Sequence, residues 1–389
     1  MIPARMSGRR RRIVAATAGV ALLLIGYAGT QDYFEAAAFV VRAAGMTGAV
    51  RRVAALEADA VSEAAVVIRW RDGELRGRTY TPTDLSGRPI LLVPGVHAAG
   101  IDEPRLINFA REIAATGHPV VTSELPDLNY DQVTPRTTDM IEDAADWAGH
   151  QWSAAMPVRD RVPGIMGISF GGGLSVVAAS RMGGRVGWVL SFGGHGDFPR
   201  TLRYLCTGVL PDGRVRPPHD YGVVIILLGV ADRLVPPEQV EGLRQGILAF
   251  LNASHLDMVD KPRAAREFER AKTLAAVLPE PARTFMAWVN ARDVAHLGPA
   301  LLPHVAAMGG DVALSPSRNP APSAPVYLLH GLDDNVIPAT ESQLLATDLR
   351  TRGGRVTQLS TPLITHAEVD HPPAAGEIWR LIRFWAGPL

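Results

Sequence analysis

One serine of this chain stands where a nucleophile would stand. Gly167-Ile168-Ser169-Phe170-Gly171 has the spacing G-x-S-x-G. It follows an apolar run at 162–168 and precedes a helical pattern opened by three glycines, 171–173. Strand, tight turn and helix in that order lift a serine hydroxyl to the edge of a sheet. The flanking positions of so tight a turn must lack side chains. A serine is a weak nucleophile until a base takes its proton, and the base needs a third group to orient it. Candidates for both lie downstream. An apolar run at 326–329 leads into His330-Gly331-Leu332-Asp333-Asp334-Asn335-Val336-Ile337-Pro338. A run at 356–359 is followed by Thr365-His366-Ala367-Glu368, with His371 five residues beyond His366. The order is serine, acid, histidine.

Elements that could position these groups are visible on either side. Runs at 64–70 and 76–81 predict a hairpin around Asp72-Gly73, and 89–94 (PILLVP) a short buried strand. A helix at 103–116, a strand at 119–123, a helix at 137–152 with Thr137 as N-cap, and a strand at 162–168 follow. A helix at 171–182 and a strand at 186–192 complete this half. Strands alternating with helices imply a parallel sheet covered on both faces. The alternation stops at 197–320, where helical periods dominate (236–251, 264–278, 280–290, 294–308). It returns with strands at 326–329 and 356–359, a helix at 339–350 and a last helix at 375–385. Five segments are expected: 1–30, a membrane anchor or signal; 31–60, a helical linker; 61–196 and 322–389, two parts of one sheet domain; and 197–321, a helical cap inserted between them.

LLVPG at 91–95, GISFG at 167–171, HGLDDNVIP at 330–338 and a histidine after the last strand together resemble the α/β-hydrolase family. The resemblance covers about residues 64–195 and 322–389, and the joint order is more specific than any one motif. It implies an α/β fold with an eight-stranded, mostly parallel sheet, helices on both faces and a helical cap. It selects Asp334 as the acid, with Asp333 as fallback, and His366 as the base, with His371 as the alternative. It places the oxyanion donors at the N–H of Phe170 and of Val96, with His97 as fallback. The chain reads Pro94-Gly95-Val96-His97 where many relatives carry His-Gly, which leaves the second donor open. His97 and His195 are candidates to line the substrate site, and His330 reads as structural. Asp232, in Gly229-Val230-Ala231-Asp232, repeats the acid's pattern. The run before it, 223–229, is assigned to a helix of the insertion, because eight strands are counted without it.

Composition removes other classes. Of 389 residues, 47% are hydrophobic and 20% charged, a globular balance. Lys+Arg and Asp+Glu are 39 each, so there is no bulk positive field for nucleic acid. A single cysteine, Cys206, excludes an intramolecular disulfide and a CxxC redox pair. No Gly-Lys pair, G-x-G-x-x-G or H-E-x-x-H occurs, and neither a cofactor nor a metal is expected. Residues 1–12 carry five arginines and no acid, and 13–29 run without a charge. Such a flank and run read as an uncleaved anchor, a cleaved export signal or a buried helix. As an anchor it would keep the arginines cytoplasmic and the catalytic domain outside; cleavage would give a secreted protein. The expected activity is hydrolysis of a carboxylic ester, lipophilic acyl esters among the candidates, through an acyl-enzyme. A peptidase, thioesterase or acyltransferase would use the same triad. A silent fold serving as a binding module is the alternative outside enzymes. The cap's Phe250, Phe268, Phe285 and Trp288 belong either to core or to an apolar pocket.

Overall fold

A computed structural model of the chain describes residues 30–257, 259–364 and 375–389. Helices α1 (Gln31–Ala43) and α2 (Ala49–Ala54) precede the hairpin β1 (Val61–Trp70) and β2 (Gly73–Pro82). Then come β3 (Ile90–Val93), α3 (Pro104–Ala114), β4 (Val120–Ser123), α4 (Pro126–Asn129), α5 (Pro135–Gln151), β5 (Gly164–Ile168), α6 (Phe170–Met182) and β6 (Trp188–Phe192). Between β6 and β7 (Val326–Gly331) the chain runs through α7 (Phe198–Thr207), α8 (Asp220–Leu234), α9 (Pro237–Asp257), α10 (Lys261–Ala276), α11 (Ala282–Asn290), α12 (Val294–Leu301) and α13 (Val305–Gly309). Helix α14 (Thr340–Thr351), β8 (Val356–Thr361) and α15 (Ala375–Trp385) end it.

The eight strands form one sheet in the order β1-β2-β4-β3-β5-β6-β7-β8. β2 pairs antiparallel with both neighbours, and every later pair is parallel. This is the α/β-hydrolase fold class, an eight-stranded, mostly parallel sheet between helices. The central strands are apolar runs because both of their faces are covered. Side chains alternate between faces along a strand. Leu91 and Val93 of β3 therefore join one core with α5, α6 and the inserted helices, while Ile90 and Leu92 join the other with α1, α3 and α15. Each fully buried Leu or Ile there stabilises the sheet by about 1.5–3 kcal/mol. Parallel strands align their carboxyl ends, so the loops after β3, β5, β6, β7 and β8 gather at one edge.

Two local expectations need correction. Thr137 does not cap α5. The helix starts at Pro135 after Thr134, and Thr137 is fully buried inside its first turn. Proline's fixed φ suits the first helical position and its missing N–H costs nothing there, so Pro135 sets the start. Helix α7 had no separate prediction. Asp197 caps it through the Arg200 N–H at 2.9 Å, and Pro199 lies in its first turn. The run 223–229 lies inside α8, apolar on nearly every side because the helix is buried among its neighbours. Asp232 sits on that helix and is exposed.

Candidate active site

Ser169 occupies the turn between β5 and α6 with φ 55° and ψ −131°. Few non-glycine residues adopt a positive φ, and the strain is held by the surroundings. The Ser169 N–H donates to the Phe192 carbonyl at 2.8 Å, and its carbonyl accepts from the Gly172 N–H at 2.8 Å. A Cβ on Gly167 would lie 2.4 Å from the Gly171 carbonyl oxygen, and one on Gly171 would lie 2.2 Å from the Pro94 oxygen. Both motif glycines are thus required by backbone approaching backbone. A Cβ on Gly95 would meet the Ser169 Cβ at 3.1 Å, so the loop after β3 packs directly on the nucleophile turn.

That loop and the first turn of α6 carry the two N–H groups expected as oxyanion donors. Phe170 begins α6, where the first N–H groups have no partner within the helix. The Val96 N–H lies one residue beyond Gly95. Neither N–H donates to a described residue. An oxyanion requires two such N–H groups directed at it.

Asp334 follows β7 and is 1% exposed. Its Oδ1 accepts the N–H groups of Val336 at 2.9 Å and Ile337 at 3.0 Å. Its Oδ2 lies 3.3 Å from His330 Nε2. His330 is wholly buried, with Nε2 2.7 Å from the Ile337 carbonyl and Nδ1 2.5 Å from Ser342 Oγ. It braces the loop that carries Asp334. Ser169 and Asp334 flank the same end of β6: Ser169 is bonded to Phe192, and Asp334 Oδ2 lies 3.6 Å from where a Cβ on Gly193 would sit. Asp333 turns outward, with its side chain 61% exposed and paired with Arg216 at 3.1 Å. His366 and His371 lie outside the described residues.

His195 is corrected. Although it follows β6, it is wholly buried, its Nε2 is 2.8 Å from the Leu314 carbonyl, and its ring packs on Phe170 and Phe198. A Cβ on Gly173 would lie 2.4 Å from that ring, so the side chain turned inward against α6. It is absent from the cleft wall. His97 does line the cleft.

The cleft over Ser169 has a volume of about 1540 Å³ and two unlike walls. One carries Phe39, Phe109, Phe192, Leu381 and Trp385, with the charged Arg42, Arg51, Arg105, Arg111 and Glu112 of the amino-terminal helices and α3 among them. The inserted helices supply a polar one: Tyr221, Ser254, His255, Asp257 and Arg292. Phe250 and Phe285 are buried among the inserted helices, with Phe268 and Trp288 packed against them, and none lines this cleft. Phe285 and Trp288 belong to the core of the insertion, whereas Phe250 and Phe268 also line a smaller pocket of about 340 Å³ beneath Arg292.

Sequence reasoning missed a linked group at the polar wall. The Tyr221 hydroxyl lies 2.6 Å from both Asp131 Oδ1 and His255 Nε2. Having one proton, it donates to the carboxylate and accepts from His255 Nε2–H. The His255 ring stacks on His97 at 4.3 Å. Asp131, with φ 56°, comes from the loop after α4, Tyr221 from α8 and His255 from α9. The group joins the inserted helices to the loop that holds Val96. Its members are scattered over 125 residues, and no spacing marks them.

Burial sets the ionisation of this group. It raises the Asp131 carboxyl to about 6 from an ordinary 3.8, against the Tyr221 hydrogen bond. Burial, helped by the charges of His97 and Arg105, lowers His255 from 6.5 to about 3. The two act oppositely on stability. Asp131's contribution is full below about 4 and lost as pH rises through about 6. That of His255 is full above 6.5 and lost as pH falls toward about 3. Asp131→Asn keeps the Tyr221 acceptor and removes only the first. Between pH 4 and 6 the stability of this variant should rise more steeply than that of the wild type, as read from urea midpoints. Equal slopes would contradict the assignment.

No protein-family model matches the chain, and no curated protein sequence matches it. Solved structures do. The acylaminoacyl peptidase of Pyrococcus horikoshii is 15% identical over 87% of this chain and 42% of its own, with TM-score 0.46. This chain therefore spans less than half the length of that peptidase. An esterase of Pyrobaculum calidifontis is 16% identical over 81% of this chain and 80% of its own, at 0.43. A thermostable carboxylesterase from a metagenomic library is 15% identical over 85% and 89%, at 0.46.

Proposed function

We infer that this protein is a serine hydrolase acting on a carboxylic ester. The observation that carries the reading is the strained Ser169, seated between two glycines that tolerate no side chain, with a buried carboxylate at the adjoining strand end. Ser169 Oγ attacks the acyl carbonyl while neutral His366 takes the hydroxyl proton. Asp334 holds the imidazole in its tautomer and stabilises the cation. The oxyanion binds the N–H groups of Phe170 and Val96, each worth about 3–4 kcal/mol to such a transition state. The C–O bond to the alcohol breaks, and the imidazolium returns the proton to the leaving oxygen. Water then repeats the sequence on the acyl-enzyme, releasing the acid and restoring Ser169.

The two cleft walls favour an amphiphilic ester, with its acyl chain against Phe39, Phe109, Leu381 and Trp385 and its polar part against Tyr221 and Arg292. The protein is held at a membrane by residues 13–29, which lie outside the described residues, with the catalytic domain on the outer side. Among the described residues no helix is long and apolar enough to cross a membrane.

A series of p-nitrophenyl esters tests this reading. Hydrolysis should favour medium over acetyl chains and rise through an apparent pKa of about 6.5–7, that of the base. A folded protein inert toward the whole series would contradict it, and a profile flat from pH 5 to 8 would remove His366 as base.

A further inference from the structure

The amino-terminal helices carry an apolar surface that none of the described residues covers. Val50 and Val53 of α2 and Leu56 of the 3-10 turn after it recur every third residue, at 43%, 64% and 83% exposure. In the first turn of α1, Phe34 is 62% exposed, and Tyr33 stacks at 5.6 Å on Trp379 of α15, itself 52% exposed. Contiguous exposed apolar surface of this kind marks a contact with a partner or a lipid phase.

The surface is rigidly presented. The opposite face of α1 is fastened to the domain by Phe39, which packs on Phe109 at 6.0 Å and Trp385 at 4.8 Å. Arg42 of α1 and Arg51 of α2 share Glu112 of α3, at 2.8 and 2.9 Å. Helix α2 cannot fold its apolar side inward without breaking these pairs.

The chain preceding α1 indicates the occupant. The uncharged run 13–29 ends two residues before Gln31, and two residues reach at most about 7 Å. A spanning helix of 17 residues covers about 26 Å, short of the roughly 30 Å hydrocarbon layer. A short span draws its flanking residues toward the bilayer, and tyrosine and tryptophan favour the interface.

We propose that helices α1 and α2 lie in the headgroup layer of a lipid bilayer with Val50, Val53, Leu56 and Phe34 sunk into it. The inference rests on reading residues 13–29 as a bilayer-crossing segment. It also gives the cleft a direction. Phe39, Val40 and the turn at 43–45 line the same cleft as Ser169, together with Arg42, Arg51 and Glu112, so this end of it opens beside the lipid-facing helices. An ester drawn from the bilayer would reach Ser169 along that side of the cleft, past Phe39 and Phe109.

The test uses the full chain in vesicles of phosphatidylcholine and phosphatidylglycerol, spin-labelled at Val53→Cys or Leu56→Cys. Cys206 is buried and its thiol is pushed up to about 12, so the introduced cysteine takes the label. Val277→Cys, on an 80% exposed residue of the inserted helices, is the aqueous control. Labels at 53 and 56 should show a several-fold higher ratio of oxygen to nickel-chelate collisions than the label at 277. If the chain floats with the vesicles yet the three labels give equal ratios, this inference fails and the membrane reading stands. Failure to float overturns both. Labels shielded from both relaxants, with dipolar broadening, would assign the surface to a second copy of the chain and overturn the proposal.

Discussion

Ser169→Ala should lower ester turnover by about a millionfold, leaving only what the oxyanion donors and substrate binding supply. The fold should survive, because the Ser169 backbone holds the turn: its N–H bonds to Phe192 and its carbonyl takes the Gly172 N–H. Alanine at φ 55° carries the same backbone strain as serine, whereas glycine does not. Ser169→Gly should therefore be as inactive but more stable than Ser169→Ala, by about 1 kcal/mol. Paired kinetics and urea unfolding of the two variants separate the chemistry of Oγ from the strain of the turn. A Ser169→Ala enzyme retaining a tenth of its turnover would end the nucleophile assignment.

Asp334→Asn should lower kcat by about 10⁴. The amide keeps an oxygen to accept from the Val336 and Ile337 N–H groups, so the loop remains anchored. It replaces the second carboxylate oxygen with a donor, which cannot orient an imidazole N–H. Asp333→Asn keeps the shape of a side chain at the rim of the cleft and removes an exposed pair with Arg216, and Asp232→Asn alters only an exposed position of α8. Both should stay close to wild type. Loss of activity in either, with Asp334→Asn active, would move the acid.

The fold was legible because its central strands are short apolar runs between turn residues, and because β5, Ser169 and α6 announce themselves as strand, turn and helix. The carboxylate proposed as the acid was pointed to by resemblance alone, through HGLDDNVIP at a strand end; that Asp334 is buried and binds its own loop is a finding of the structure. Asp334 and Asp333 differ by one residue, and burial, which separates them, is a property of packing. His195 misled because a strand's carboxyl end faces the site while the side chain two residues past it can turn inward, here to the Leu314 carbonyl. The polar wall was invisible. Asp131, Tyr221 and His255 come from one loop and two helices, and only the docking of the inserted helices makes them neighbours. The aromatic residues of those helices were left between core and an apolar pocket: they pack the insertion together, and none of them lines the cleft over Ser169.

The most direct measurement is the site of covalent modification by a fluorophosphonate. Such a probe reacts with a serine whose proton is taken by a base and whose adduct oxygen meets oxyanion donors. The account predicts one adduct per chain, mapped by mass spectrometry to Ser169, absent in Ser169→Ala and strongly slowed in Asp334→Asn. Folded protein that remains unlabelled, with detergent present to free the cleft, or that is labelled at another serine, would contradict it.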